Sequence, residues 1–149
     1  MTALWITGAG AVGPLGMGLP ESVEGAAPEP FRSVPEGLPL KEGFPAGSLR
    51  WQDACSLWWL NAARQALGGG ASNPGTGQVV GLGWGSTPPV LSLIEQVRAN
   101  GFSSMTPALF PYSVGNAPAA QAGILLNLRG AAVTLCAKEA AGLAAAVEA

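Results

Sequence analysis

Three glycines near the amino terminus, Gly8, Gly10 and Gly13, follow the apolar run ALWIT in the spacing G-x-G-x-x-G. A strand feeding such a turn is one way an α/β enzyme brings backbone N–H groups up to the pyrophosphate of a dinucleotide. Two thiols, Cys55 and Cys136, are the other groups that could do chemistry, as nucleophiles. Two cysteines at this spacing make neither a disulfide framework nor a metal-ligand set. The chain contains no histidine. That removes the commonest general base, the commonest metal ligand and any Ser-His or Cys-His pair. No carboxylate dyad is evident, so the residues taken alone are poorly equipped for acid–base work. Nothing beyond the glycines suggests a cofactor, and no metal is expected.

A dinucleotide turn needs more than its glycines. The third glycine must open a helix whose N-terminus faces the pyrophosphate. Here Pro14, Gly16, Gly18 and Pro20 follow, and together they break any such helix. An acidic residue should also end a second strand about 20 residues on, to hold the ribose. Glu29 to Pro35 is rich in proline and not strand-like. An NAD(P)-binding Rossmann-type enzyme using the GAGAVG turn therefore stays only as an alternative.

The elements that would position these groups follow from periodicity and punctuation. Ala3 to Thr7 reads as a buried strand. Residues 18–50 carry Pro20, Pro28, Pro30, Pro35, Pro39 and Pro45, which forbid a long helix and suggest a wrapping loop. A turn or two of helix around Glu21 to Ala26 fits within it. Gln52 to Leu67 reads as a helix with Cys55, Trp58, Trp59, Ala62 and Ala66 on one side and Asp53, Asn61 and Arg64 opposite. Gly68 to Gly70 ends it. The adjacent tryptophans are expected to anchor a core or an interface.

Val79 to Trp84 is the next expected strand. Ser86-Thr87-Pro88 then starts a helix, with a hydroxyl at the N-cap and proline in the first turn. That helix carries Val90, Leu91, Ile94 and Val97 at core spacing and stops near Asn100-Gly101. A loop with Pro107 and Pro111 leads to a helix from Asn116 and Pro118 to about Leu128. Arg129-Gly130 turns the chain, Ala132 to Cys136 is a strand, and Lys138 to Ala149 is a helix. Strands alternating with helices predict one α/β domain with a mostly parallel sheet.

Bulk properties narrow the function classes. The chain has 149 residues, long enough to bury roughly two-thirds of its unfolded surface. Seven basic against nine acidic residues give a net charge of −2, which offers no footprint for nucleic acid or an anionic membrane. No apolar run approaches the roughly 20 residues of a spanning helix. The N-terminus has no basic region of a secretory signal, so a cytoplasmic setting is expected. Only 11% of residues are charged, against about 25% in an average domain. Such a chain is short of solvent-facing surface, and one or more faces are expected to be covered by another subunit.

The opening residues resemble those of the β-ketoacyl synthase (ketosynthase) family of the thiolase-like superfamily. Thr7, Gly8, Gly10, Pro14 and Gly16 match its T-G-x-G-x-x-x-P-x-G stretch, whose glycines make a tight turn and bind no nucleotide. WQDACSLWWLNAARQAL and GQVVGLGWGSTPPVLSLIEQ resemble its following helix and strand. The most specific likeness is FPYSVGNAPAAQAGILLNLRGAAVTL, residues 110–135, where Asn116, Ala119, Gln121, Leu128, Arg129, Gly130, Val133 and Thr134 match, while Ala131 replaces the usual proline. The resemblance implies the N-terminal half of a thiolase-like fold, a mixed and mostly parallel sheet layered with helices, with no cofactor. It also implies that Phe110, Asn116, Gln121, Val133 and Thr134 face a substrate tunnel or a partner.

In an active member of that family a cysteine sits at a sharp elbow where this strand enters a helix. Orphan N–H groups there favour the thiolate and can hold an oxyanion. Aligned on RGAAVTLCAKEAAGLAAAVEA, the elbow falls on Glu139, and a carboxylate cannot form a thioester. Residues 138–143, KEAAGL, resemble the chain-length-factor branch, in which glutamine replaces the cysteine. A carboxylate in a first helical turn is also favourable in any protein. Cys136, three residues earlier, is the alternative nucleophile, and otherwise a small buried residue. The expectation is therefore a shortened ketosynthase-like protein, either a natural paralogue or a fragment, without condensing activity of its own. Its expected partners are a second copy, met through Ala132 to Cys136, or a ketosynthase subunit, with an acyl carrier protein as a further candidate. A non-catalytic acyl-binding module is the third reading.

Overall fold

The computed structural model describes residues 7–13, 16–18, 36–69, 73 and 75–149. The expected strand at Ala3 to Thr7 lies outside these residues apart from Thr7, which is not in a strand, and the expected turn of helix at Glu21 to Ala26 lies wholly outside them. The first described elements are β1 (Val12–Gly13) and β2 (Gly16–Met17), an antiparallel hairpin with Val12 opposite Met17 and Gly13 opposite Gly16. Residues 36–50 form turns without a regular element, as their prolines require.

Asp53 starts α1 (Ala54–Ala66). Its Oδ1 accepts the Ser56 N–H at 2.8 Å, and Arg64 lies in the last turn, where the helix dipole favours a cation. β3 (Gln78–Leu82) follows, two residues short of the expected Trp84 because Gly83 and Gly85 open a turn. α2 (Thr87–Asn100) ends at Gly101, whose φ of 80° and N–H to the Val97 carbonyl stop the helix. Short 3-10 turns at Phe102–Ser104 and Pro107–Tyr112 replace the expected loop. α3 (Ala117–Leu125) is three residues shorter than expected, because Asn127 takes a left-handed conformation. β4 (Ala132–Cys136) and α4 (Ala141–Glu148) complete the order.

β4 pairs with β3 in parallel, Gln78 with Ala132 through Leu82 with Cys136. Alternation then sorts the side chains by face. Val80 and Leu82 pack with Ala119 of α3 and with Cys55 and Trp59 of α1. The opposite face carries Gly81, and α4 lies against it. A Cβ at Gly81 would run into the Ala141 carbonyl and crowd the Ala145 methyl, so glycine is what lets helix and strand approach this closely. The result is a helix–sheet–helix layering, with α1 and α3 on one side and α4 on the other. α3 can sit between α1 and the sheet because its buried positions, Ala117, Pro118, Ala119 and Ala122, are small.

Two expected faces are corrected by packing. Asn61, assigned to the polar side of α1, is 0% exposed. Residues 36–50 fold over that side, so Leu57 and Leu60 join Leu49, Leu40 and Phe44 in a second core. Asn61 is satisfied there: its Nδ2 donates to the Leu40 and Leu57 carbonyls, both at 2.8 Å, and its Oδ1 accepts from Arg64. On α2 the expected core stripe is displaced. Pro89 and Leu93 are buried, whereas Leu91 and Ile94 are exposed. Pro89 and Leu93 thus face the protein, and the first-turn residue Pro88 is exposed with Leu91 and Ile94.

Candidate functional site

The strand-to-helix junction is an elbow. β4 ends at Cys136, Ala137 N–H donates to the Leu82 carbonyl at 3.3 Å, and Lys138 turns the chain at a φ of 47°. A non-glycine residue in this region is uncommon and marks a sharp reversal. Lys138–Ala140 forms one 3-10 turn before α4 begins, closed by Ala140 N–H on the Ala137 carbonyl at 3.0 Å. Glu139 therefore stands in the turn that leads from a sheet strand into a helix packed on that sheet. Its side chain is exposed.

Beside the elbow, past the carboxyl ends of β3 and β4, opens a cavity of about 440 Å³ lined by Trp84, Ser86, Ser113, Gly115, Cys136 and Lys138 among others. Ligand sites of open parallel α/β sheets lie at this end of their strands. Lys138 Nζ rides 5.7 Å above the centre of the Trp84 ring, a cation–π contact that fixes both at the rim. Ser86 is the N-cap residue of α2, yet its hydroxyl makes no cap bond. The reason is covalent. An N-cap oxygen accepts from the second or third helical N–H, and here those positions are Pro88 and Pro89, which have none. Thr87 spends its own N–H on the Gly85 carbonyl. Ser86 is 3% exposed and its Oγ is left without a partner.

The expected tunnel residues are not gathered at this cavity, and none of the five lines it. Phe110 and Asn116 are exposed, on the 3-10 turn and at the N-cap of α3. Gln121 is half-buried on α3. On β4, Val133 is exposed and Thr134 half-buried. Cys136 is exposed rather than buried, a correction that follows from its place at the open end of β4 beside Gly115. Trp84 and Lys138 are not site residues in the sequence reading, and Ser86 appears there only as a helix N-cap. For Ser86 the signal was present in the prolines that follow it.

The glycine turn lacks the helix that a dinucleotide site requires, while Glu29 to Pro35, where the ribose-binding acid would stand, lies outside the described residues. Gly13 pairs with Gly16 across a two-residue connection, so no helix starts at Gly13. The space that Gly8 and Gly10 leave is filled by the end of α1: a Cβ on Gly10 would meet the Ala62 carbonyl, and one on Gly8 the Ala66 carbonyl. Gln65 fastens the contact, its Nε2 donating to the Ala11 carbonyl at 3.3 Å and its Oε1 accepting the Ala11 N–H at 3.4 Å. Among the described residues no cluster of His, Cys, Asp or Glu could hold a metal ion, and no helix is long and apolar enough to cross a membrane.

No protein-family model matches the sequence, and no curated protein does. Among solved structures, the crystal structure of a β-ketoacyl synthase from Burkholderia phymatum STM815 is similar, with a TM-score of 0.73 at 19% sequence identity. The match covers 97% of this chain and 41% of that one, so this chain spans about two-fifths of the length of the structure it matches. The fold is thus ketosynthase-like, a thiolase-type α/β arrangement of a small parallel sheet between helices.

Proposed function

We propose that this chain is a ketosynthase-like protein of fatty-acid or polyketide-type metabolism that does not itself condense acyl groups and serves as a partner subunit in the manner of a chain-length factor. The observation that carries this reading is Glu139 in the elbow between β4 and α4. In the family that the sequence resembles, this is the position of the thioester-forming cysteine. A carboxylate there can accept hydrogen bonds from a helix start but cannot carry an acyl thioester. A partnering role is supported by surface that the described residues leave bare. Among them β4 pairs only with β3, and its other edge meets no described strand.

The test is an incubation of the purified chain with malonyl- and acyl-carrier-protein thioesters, followed by mass spectrometry of the carrier-bound products. The expected result is no β-ketoacyl product above the level of a protein-free control. Steady condensation by the chain alone overturns the proposal.

A further inference from the structure

We propose that the groove between α2 and the 3-10 turn at Phe102–Ser104 binds a single-chain fatty carboxylate, its tail on the apolar walls and its head on Arg98. The groove shares no lining residue with the cavity at the elbow, and the inference is independent of the function proposed above.

The groove has a volume of about 490 Å³, within the range of small-molecule sites. Leu93, Ile94, Val97, Phe102 and Met105 line it, and Arg98 is the one lining residue that is not apolar. Leu93 is buried, whereas Ile94 is 56% exposed and Phe102 82%. Single exposed apolar side chains are ordinary on a protein surface. Here they converge on one concave seat, and the segment that carries Phe102 and Met105 is tied down. Gly101 N–H donates to the Val97 carbonyl at 2.8 Å. Ser104 Oγ donates to the Gln96 carbonyl at 2.8 Å, and Gln96 Oε1 accepts the Thr106 N–H at 2.7 Å. Gln96 thus grips the chain on both sides of Met105. A wall fixed in this way loses little freedom when a ligand arrives.

What the walls offer decides the chemistry of the occupant. The N–H groups of Gly101, Ser104, Met105 and Thr106 are all engaged by acceptors within the protein. The body of the ligand is therefore apolar. Arg98 stands at the edge of the seat, in the last turn of α2. Glu95, three residues earlier, does not line the groove, and among the described residues no carboxylate pairs with Arg98. A guanidinium beside an apolar groove matches a carboxylate carried on a hydrocarbon tail, since its fork fits the two oxygens. A cationic head of the same tail would be repelled.

The test titrates the full-length chain with decanoate, below its micelle concentration, by isothermal calorimetry. Octanoate and decyltrimethylammonium are run beside it. One saturable site for decanoate is expected. Octanoate, two methylenes shorter, should bind about four- to tenfold more weakly. Arg98→Gln should weaken decanoate about two- to fivefold without weakening the cationic amphiphile. Phe102→Ser, at an exposed position, should weaken both. Photocrosslinking of the unmutated chain with a diazirine-bearing decanoate should label residues 93–105, which keeps the test decisive if a variant is poorly folded. A label elsewhere, no saturable binding, or an affinity indifferent to Arg98 overturns the proposal. So does sedimentation with phosphatidylglycerol vesicles by a chain that does not bind free decanoate. A dimer that Phe102→Ser dissociates, with no decanoate bound by either form, gives the groove to a second copy and overturns it as well.

Discussion

Asp53 and Ser86 both occupy the N-cap position of a helix, yet only Asp53 accepts a hydrogen bond from the turn it heads. The expected consequences of deleting each side chain differ in size and in sign. Asp53→Ala removes the bond to Ser56 N–H and should cost about 1 kcal/mol, within the usual range for N-caps. Ser86→Ala removes a buried hydroxyl that bonds to nothing, and should leave stability unchanged or raise it. Urea unfolding followed by tryptophan fluorescence measures both. A loss at Ser86 equal to that at Asp53 would mean that its Oγ has a partner in solution. At this scale the sequence was a good guide wherever the signal was local. Ser86 and Gly101 mark their helix ends because caps and stops act within one turn, whereas Asp53, expected inside a helix from Gln52, is its N-cap. Asn61 was misread because its burial is produced by Leu40, 21 residues away.

At the scale of elements, the contact that sets the layering is α4 on β3 through Gly81. Gly81→Ala places a methyl where the Ala141 carbonyl stands, and backbone cannot step aside as a flexible side chain can. The expected cost is about 1–3 kcal/mol, seen as a lowered thermal midpoint. Gly142→Ala, on the same helix with nothing near its Cβ, is the control and should not destabilise. β4 was legible to its terminal residues, since a short β-branched and apolar run between Gly130 and the helix admits little else. The core stripe of α2 was not legible. Its apolar positions are there, but which side is buried depends on how the helix packs against the 3-10 turns at Phe102–Ser104 and Pro107–Tyr112, and that is a tertiary fact. The elbow lies between these cases: the strand and helix around Glu139 were readable, while the cavity next to it is assembled from three separate stretches of chain.

For the whole molecule, the question is what meets the uncovered surface. β4 has an open edge among the described residues, and the outer side of α4 shows Leu143 and Val147 at 73% and 77% exposure. Open edges recruit further strands unless they are blocked by charge. The partner proposal therefore predicts self-association at micromolar concentration, measured by size-exclusion chromatography with light scattering. Val133→Lys, which puts an ammonium beside that edge, should shift the population to monomer. A wild-type chain that is monomeric throughout would remove the second copy as the partner. The low content of charged residues, 11%, points to such surface, although composition does not say where it lies.

The clasp between Gln65 and Ala11 carries its own thermodynamic corollary. One side-chain amide pairs with both the N–H and the carbonyl of a single residue 54 positions away, as a neighbouring strand would. The nearby glycines, Gly8, Gly10 and Gly13, have no side chains with which to hold on. The amino-terminal hairpin consequently depends on a dock that exists only while the final turn of α1 is wound. It can be no more persistent than that turn, and fraying there releases both at once.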